Sequence, residues 1–154
     1  MKAIFKSLFL ALFLLNIFSL PCYAQALEIN NLVDQFKQAT DLQREQIKKD
    51  NFGKELTANG IVANVEEYNF FNEKKDLAGK YFRVTTAEQK STSNTAYQVN
   101  FLYKDLPAVK DINKGEKKEQ TGKIIKIIDD RLQISLWLYI GELSAEEKEL
   151  FISN

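Results

Sequence analysis

Residues 132–140, LQISLWLYI, constrain this chain more than any other stretch. Leu132, Ile134, Leu136, Leu138 and Ile140 fall on one side of a period-two pattern, with Gln133, Ser135, Trp137 and Tyr139 on the other. Such alternation in a run rich in branched and aromatic residues predicts a β-strand, because successive side chains of an extended chain point to opposite faces. A second apolar run, within 117–128, precedes it, and Asp129 and Asp130 suit the reversal between the two because short carboxylates bond the local backbone. A hairpin of two strands is not stable alone in water, so the rest of the chain must supply its partners.

The partners can be read in order. Residues 27–51 are helical in pattern: Leu32, Val33 and Phe36 recur at helical spacing, and Leu42 and Ile47 extend the apolar side. Thr40 with Gln43 three residues on has the form of a capping box, which predicts two short helices meeting near 39–41. Gly53 closes the helical part. In 54–68 Leu56, Ala58, Gly60 and Val62 alternate with Thr57, Asn59, Ile61 and Ala63, a strand with a glycine that marks a bend or a close approach. A loop follows over 69–80, with Phe70 and Phe71 turned inward. Strands come next at 80–86, with Phe82 and Val84 sharing a face, and at 96–104, with Tyr97, Val99, Phe101 and Tyr103 facing the core. Between them AEQKSTSNT is polar and without apolar period, a mobile hairpin tip. Pro107 makes 105–112 a turn or short helical piece, and Asn113, Lys114 and Gly115 lead into the hairpin of 117–141. Ser144 caps a last helix whose Glu146 and Glu147 lie where the helix dipole favours acids.

Residues 1–24 have the order of a secretory signal peptide: Lys2 and Lys6, an apolar run over 8–20, Pro21, then Ala24 and Ala26. The organisation is therefore 1–24 leader, 25–51 helical segment, 52–143 barrel and 144–154 terminal helix. Cleavage after Ala24 or Ala26 places the protein in the periplasm or outside the cell, with no membrane span left. The alternative is a lipid anchor on Cys22, but Pro21 is a poor residue before a lipidated cysteine. The whole chain has 21 basic and 21 acidic residues, so losing Lys2 and Lys6 leaves 19 against 21, a net charge of −2. Cys22, the sole cysteine, leaves with the leader, and there is no histidine. Soft-ligand metal sites and Cys–His or Ser–His catalysis are excluded on that composition. Asp129 and Asp130 lack the spaced oxygen ligands of a calcium loop, and Glu66 and Glu67, adjacent on a strand, point apart. No enzyme activity, cofactor or metal is expected.

Five strands, the first and fourth bent at Gly60 and Gly122, predict a mainly β fold. Its expected form is a five-stranded OB-fold-like Greek-key barrel, with one or two N-terminal helices and a short C-terminal helix. A meander sheet backed by the N-terminal helix is the competing architecture. The blocks GKELTANGIVANVEEY, YFRVTT, YQVNFLY, INKGEKKEQTGKIIKIID and LQISLWLYI resemble the tRNA-anticodon-binding-like OB-fold family of bacterial exported and lipid-anchored proteins. The resemblance spans 52–141 and is strongest over 114–124; it implies an OB barrel and carries no activity and no catalytic residues. The chain departs from that pattern at 116–119, which are charged where such strands commonly carry valine.

On this alternation Tyr81, Arg83 and Thr85 stand beside Gln98 and Asn100 on the outer face of the middle strands. Tyr81 offers a stacking surface, Arg83 a planar donor fork and the amides adaptable hydrogen bonds. One arginine cannot supply the charge that a phosphate backbone needs, so the set suits a peptide strand or a glycan better than nucleic acid. Trp137 and Tyr139 have two readings, a second small core under the terminal helix or an alternative contact patch. The expectation is a non-catalytic binding or interaction module of the cell envelope, its partner an envelope protein, peptide or glycan. The alternative is a protein that binds single-stranded nucleic acid or oligosaccharide.

Overall fold

The central hairpin forms as β5 (Lys117–Asp129) and β6 (Ile134–Ile140), antiparallel, with Ile124 opposite Leu138 and Ile127 opposite Leu136. The computed structural model describes residues 28–68, 80–129 and 132–152; the leader, Phe70, Phe71 and Asp130 lie outside them. β1 (Glu55–Glu67) pairs with β5 through its first half, from Glu55↔Lys123 to Ile61↔Lys117. Its second half pairs with β2 (Phe82–Thr86). β2 runs antiparallel to β4 (Ala96–Tyr103), and β4 runs parallel to β6. The ring β1-β2-β4-β6-β5 closes on itself, in the strand order of an OB-fold-like Greek-key barrel. The parallel β4–β6 pair rules out the meander sheet, in which only antiparallel neighbours occur.

The two strand glycines are needed for packing. A Cβ on Gly60 would sit 2.7 Å from Thr86 Cγ2, and one on Gly122 would sit 2.8 Å from the Tyr139 carbonyl oxygen. The charged start of β5 is accommodated because its side chains there are exposed or half-buried, with Lys117 and Glu119 opposite the exposed Ile61 and Asn59 of β1.

Two helices precede the barrel, α1 (Ile29–Gln38) and α2 (Asp41–Asn51). They part at Thr40, whose N–H donates to Gln43 Oε1 at 2.9 Å, as the capping-box pattern predicts. Leu32, Val33 and Phe36 of α1 join Leu56, Val62, Val84, Val99, Phe101, Ile124, Leu136 and Leu138 in the interior core. Ile47 packs against this core, but Leu42 is 86% exposed, so the apolar side of α2 is narrower than its sequence implies. A short 3-10 turn, Leu106–Ala108, holds Pro107, and α3 (Ala145–Ile152) follows β6. Ser144 Oγ accepts from the Glu147 N–H at 3.1 Å while Glu147 Oε2 accepts from the Ser144 N–H at 2.9 Å, closing a second capping box.

The structure corrects two expectations, on the segment over 87–95 and on Leu132. The segment over 87–95 is not a bare tip: Gln89–Lys90 is a sixth strand, β3, paired with the start of β4. The Asp34 carboxylate accepts from the Ser91 hydroxyl and from the Ser93 N–H and hydroxyl, the latter at 2.7 Å, tying the segment to α1. Leu132 is 86% exposed and lies before β6, because the strand begins only at Ile134. β6 is also buried on both faces, since α3 covers Tyr139 and packs beside Trp137 in a second core with Tyr81, Leu102, Ile125, Leu143 and Phe151. Among the described residues no helix is long and apolar enough to cross a membrane.

Candidate binding face

Strand alternation sends Arg83, Thr85, Gln98, Asn100, Ser135 and Trp137 to the outside of the barrel, and the register sets them side by side. Thr85 stands opposite Asn100, Asn100 opposite Trp137, and Gln98 opposite Ser135. Thr85 Oγ1 donates to Asn100 Oδ1 at 3.0 Å, and Asn100 Nδ2 donates to Ser135 Oγ at 2.9 Å, a polar chain across three strands. Gln98 Nε2 donates to the Thr86 carbonyl at 2.8 Å, and Gln133 approaches Gln98 at 3.4 Å.

Arg83 is the centre of this face. It stands opposite Glu66 on β1 and pairs with that carboxylate, and its Cζ lies 5.5 Å from the Tyr68 ring centre and 5.3 Å from that of Trp137. The Tyr68 and Trp137 rings are themselves 5.2 Å apart. Burial raises the pKa of the Tyr68 phenol, against the opposing pull of Arg83. Two buried donors, Arg83 Nε and Trp137 Nε1, have no hydrogen-bond partner among the described residues. Each is a group that an acceptor oxygen would satisfy.

The expected residues divide on this geometry. Arg83, Thr85 and Gln98 sit half-buried on the outer face as the alternation implied. Asn100 shares the face but is only 2% exposed, because Thr85 and Ser135 close over its amide. Tyr81 is not a stacking platform. It is 3% exposed beneath α3, where its hydroxyl donates to Glu147 Oε1 at 3.0 Å. Tyr139 shares that carboxylate at 2.8 Å and is 2% exposed, so it offers no contact patch; Trp137, at 8%, keeps only an edge in solvent. The two patches expected separately are thus one surface, part of it roofed by the C-terminal helix.

Glu147 anchors that roof. Burial opposes its charge, but the Ser144 N–H, the Tyr139 hydroxyl, Lys104 and the Tyr81 hydroxyl outweigh it and hold its pKa at about 2. Burial, then the neighbouring Glu147, pushes the two phenols up. Sequence reading missed Tyr68 and Glu66 as members of the face. The signal was present: a strand arginine beside aromatic neighbours needs an acid, and Glu66 is the cross-strand partner.

The rings, the guanidinium and the amides of this face can bind and orient a ligand. Glu66 balances the Arg83 charge. Among the described residues, no three of Asp, Glu, His and Cys converge as a metal site. Neither a protein-family profile nor a curated protein matches the chain. Among solved structures, one similar chain is a "putative nucleic acid-binding lipoprotein" from Klebsiella pneumoniae. The alignment has a TM-score of 0.41 and 17% identity, and covers 68% of this chain and 82% of that one.

Proposed function

We propose that this chain is an exported, non-catalytic binding module of the bacterial cell envelope, belonging with the tRNA-anticodon-binding-like OB-fold proteins it resembles. Its outer barrel face takes a neutral, oxygen-rich ligand of the oligosaccharide class. The observation that carries this reading is Arg83, set against the paired Tyr68 and Trp137 rings with its charge met by Glu66, beside two donors that lack acceptors among the described residues. Aromatic rings with a guanidinium and amides are a chemistry that sugar hydroxyls and ring oxygens can satisfy. A peptide backbone is less well served at this face. β2 is flanked by β1 and β4, and β4 by β2 and β6, which leaves no strand edge for it to join.

Trp137 is the sole tryptophan of the chain, so its fluorescence reports from the site itself. Titration with a β-1,4-linked N-acetylglucosamine oligosaccharide is expected to change that emission saturably, and Arg83→Gln to abolish the change. A single-stranded oligonucleotide is expected to give none. Saturation by the oligonucleotide, with no response to sugar, would overturn the reading in favour of nucleic acid.

Export is tested separately, by intact mass after expression in a Gram-negative host. The expected mature N-terminus is Gln25 or Leu27 without lipid, and a diacylated Cys22 would make the protein membrane-anchored instead.

A further inference from the structure

β5 outruns its neighbour. On the β1 side the last rungs run from Gly53 N–H to Ile124 O, at 2.8 Å, and from Ile124 N–H to Lys54 O, at 2.9 Å. Beyond them residues 125–129 lie beside β6 alone among the described strands. Backbone groups of an antiparallel strand alternate between its two sides. Ile124 turns its groups away from β6, and the bulge between Ile124 and Lys126 inserts one residue, so Ile127 and Asp129 take the outward turn after it.

This edge borders an open groove of about 810 Å³ between α2 and the end of α3. Phe52 and Ile128 lie along it, half-buried, and Ile152, 69% exposed, forms the far lip. The α2 wall is charged. Asp41 and Asp129 both lie on Arg44, at 3.8 and 2.9 Å, and Glu45 lies on Lys48 at 2.7 Å. With Lys49 added, the α2 wall of the groove carries three cations against two acids, a positive excess on a mature chain that is net negative.

We propose that this groove takes an extended segment of a partner protein, added as a strand beside residues 125–129. Its outward amides and carbonyls complete the ladder of Ile127 and Asp129. Its aliphatic side chains lie over Phe52, Ile128 and Ile152, and its acidic ones face the lysines of α2. The groove lies on β5 and α2, apart from Arg83, and does not depend on the oligosaccharide reading.

The test is fluorescence anisotropy of the purified protein with a labelled seven-residue peptide that alternates glutamate and valine. Saturable binding is expected, weakened roughly tenfold by Lys48→Glu with Lys49→Glu. The same peptide N-methylated at the amides on its edge-facing side is expected to lose binding to the unmodified protein, a readout that needs no protein variant. Equal binding of the N-methylated peptide, or no binding at millimolar concentration, would overturn the proposal. Sedimentation velocity supplies a further arm: a dimer that the two lysine substitutions dissolve would assign the groove to a second copy of this chain instead. Undiminished response of Trp137 to the oligosaccharide in the lysine variant would show that the two sites fail or stand separately.

Discussion

The Arg83 guanidinium lies 5.3 Å from the ring centre of Trp137, joining β2 to β6 across the β4 strand between them. Removing it as Arg83→Ala takes away two cation–π contacts and leaves Glu66 with Asn64 but without its cation. The expected loss is about 1–2 kcal/mol in stability, seen as a lower denaturant midpoint with a shift in Trp137 emission. Arg83→Lys is expected to restore only part of it, since an ammonium lacks the planar guanidinium face and donor fork that meet the rings and Glu66.

Leu136 faces the interior core and is fully buried. Leu136→Ala is expected to cost about 2–5 kcal/mol through lost burial and a cavity, measured by chemical denaturation. A value near zero would mean that the register of β6 is wrong by one residue, which inverts every side chain.

Gly122→Ala tests the crossing of β5 over β6. The added Cβ would meet backbone, the Tyr139 oxygen at 2.8 Å, and Ile140 Cδ1 at 2.7 Å. The carbonyl cannot move without breaking the ladder, so roughly 1–3 kcal/mol of destabilisation is expected. Gly53→Ala serves as the comparison, because its Cβ meets nothing within 4 Å and only its φ of +77° resists substitution.

Acid is expected to loosen the C-terminal helix. The pKa of Glu147 is held at about 2 in the fold, below its ordinary 4.5. A depressed carboxyl pKa stabilises the fold above the unfolded value, and the benefit is lost as pH falls from about 4.5 towards 2, on the order of 3 kcal/mol in all. Thermal melts should show this acid slope flattened in Glu147→Gln, with the two proteins converging at the low end. At the alkaline end the sign reverses. Tyr103, pushed up to about 12 by burial, together with Tyr81 and Tyr139, gives stability that is full below pH 10 and lost as pH rises above it. Between pH 6 and 8 a chain without histidine is expected to change little.

The parts of this fold legible in the sequence are those set by local pattern. The β6 alternation and the Thr40 capping box each act through residues a few positions apart, and each led to the element observed. What escaped depends on distant partners. Tyr81 reads as an amphipathic surface residue until Glu147, in another element, takes its hydroxyl. The segment at 87–95 reads as loose until Asp34 of α1 clasps Ser91 and Ser93. Trp137 and Tyr139 alternate with aliphatic neighbours in any uncharged strand, and only the placement of α3 decides which of its two faces is covered. The candidate face was half legible: Arg83, Thr85, Gln98 and Asn100 followed from alternation, whereas Tyr68 and Glu66 needed the β1–β2 register.

The parallel pair of β4 and β6 also governs when the barrel can exist. Tyr97 finds its parallel neighbour at Ile134, and the seam stays open through Tyr103 until Ile140 arrives. The chain must therefore be available through Ile140 before the ring can shut. Until then β4 and β5 each wait with one flank unfilled, and the nascent chain remains an unclosed thread rather than a finished barrel.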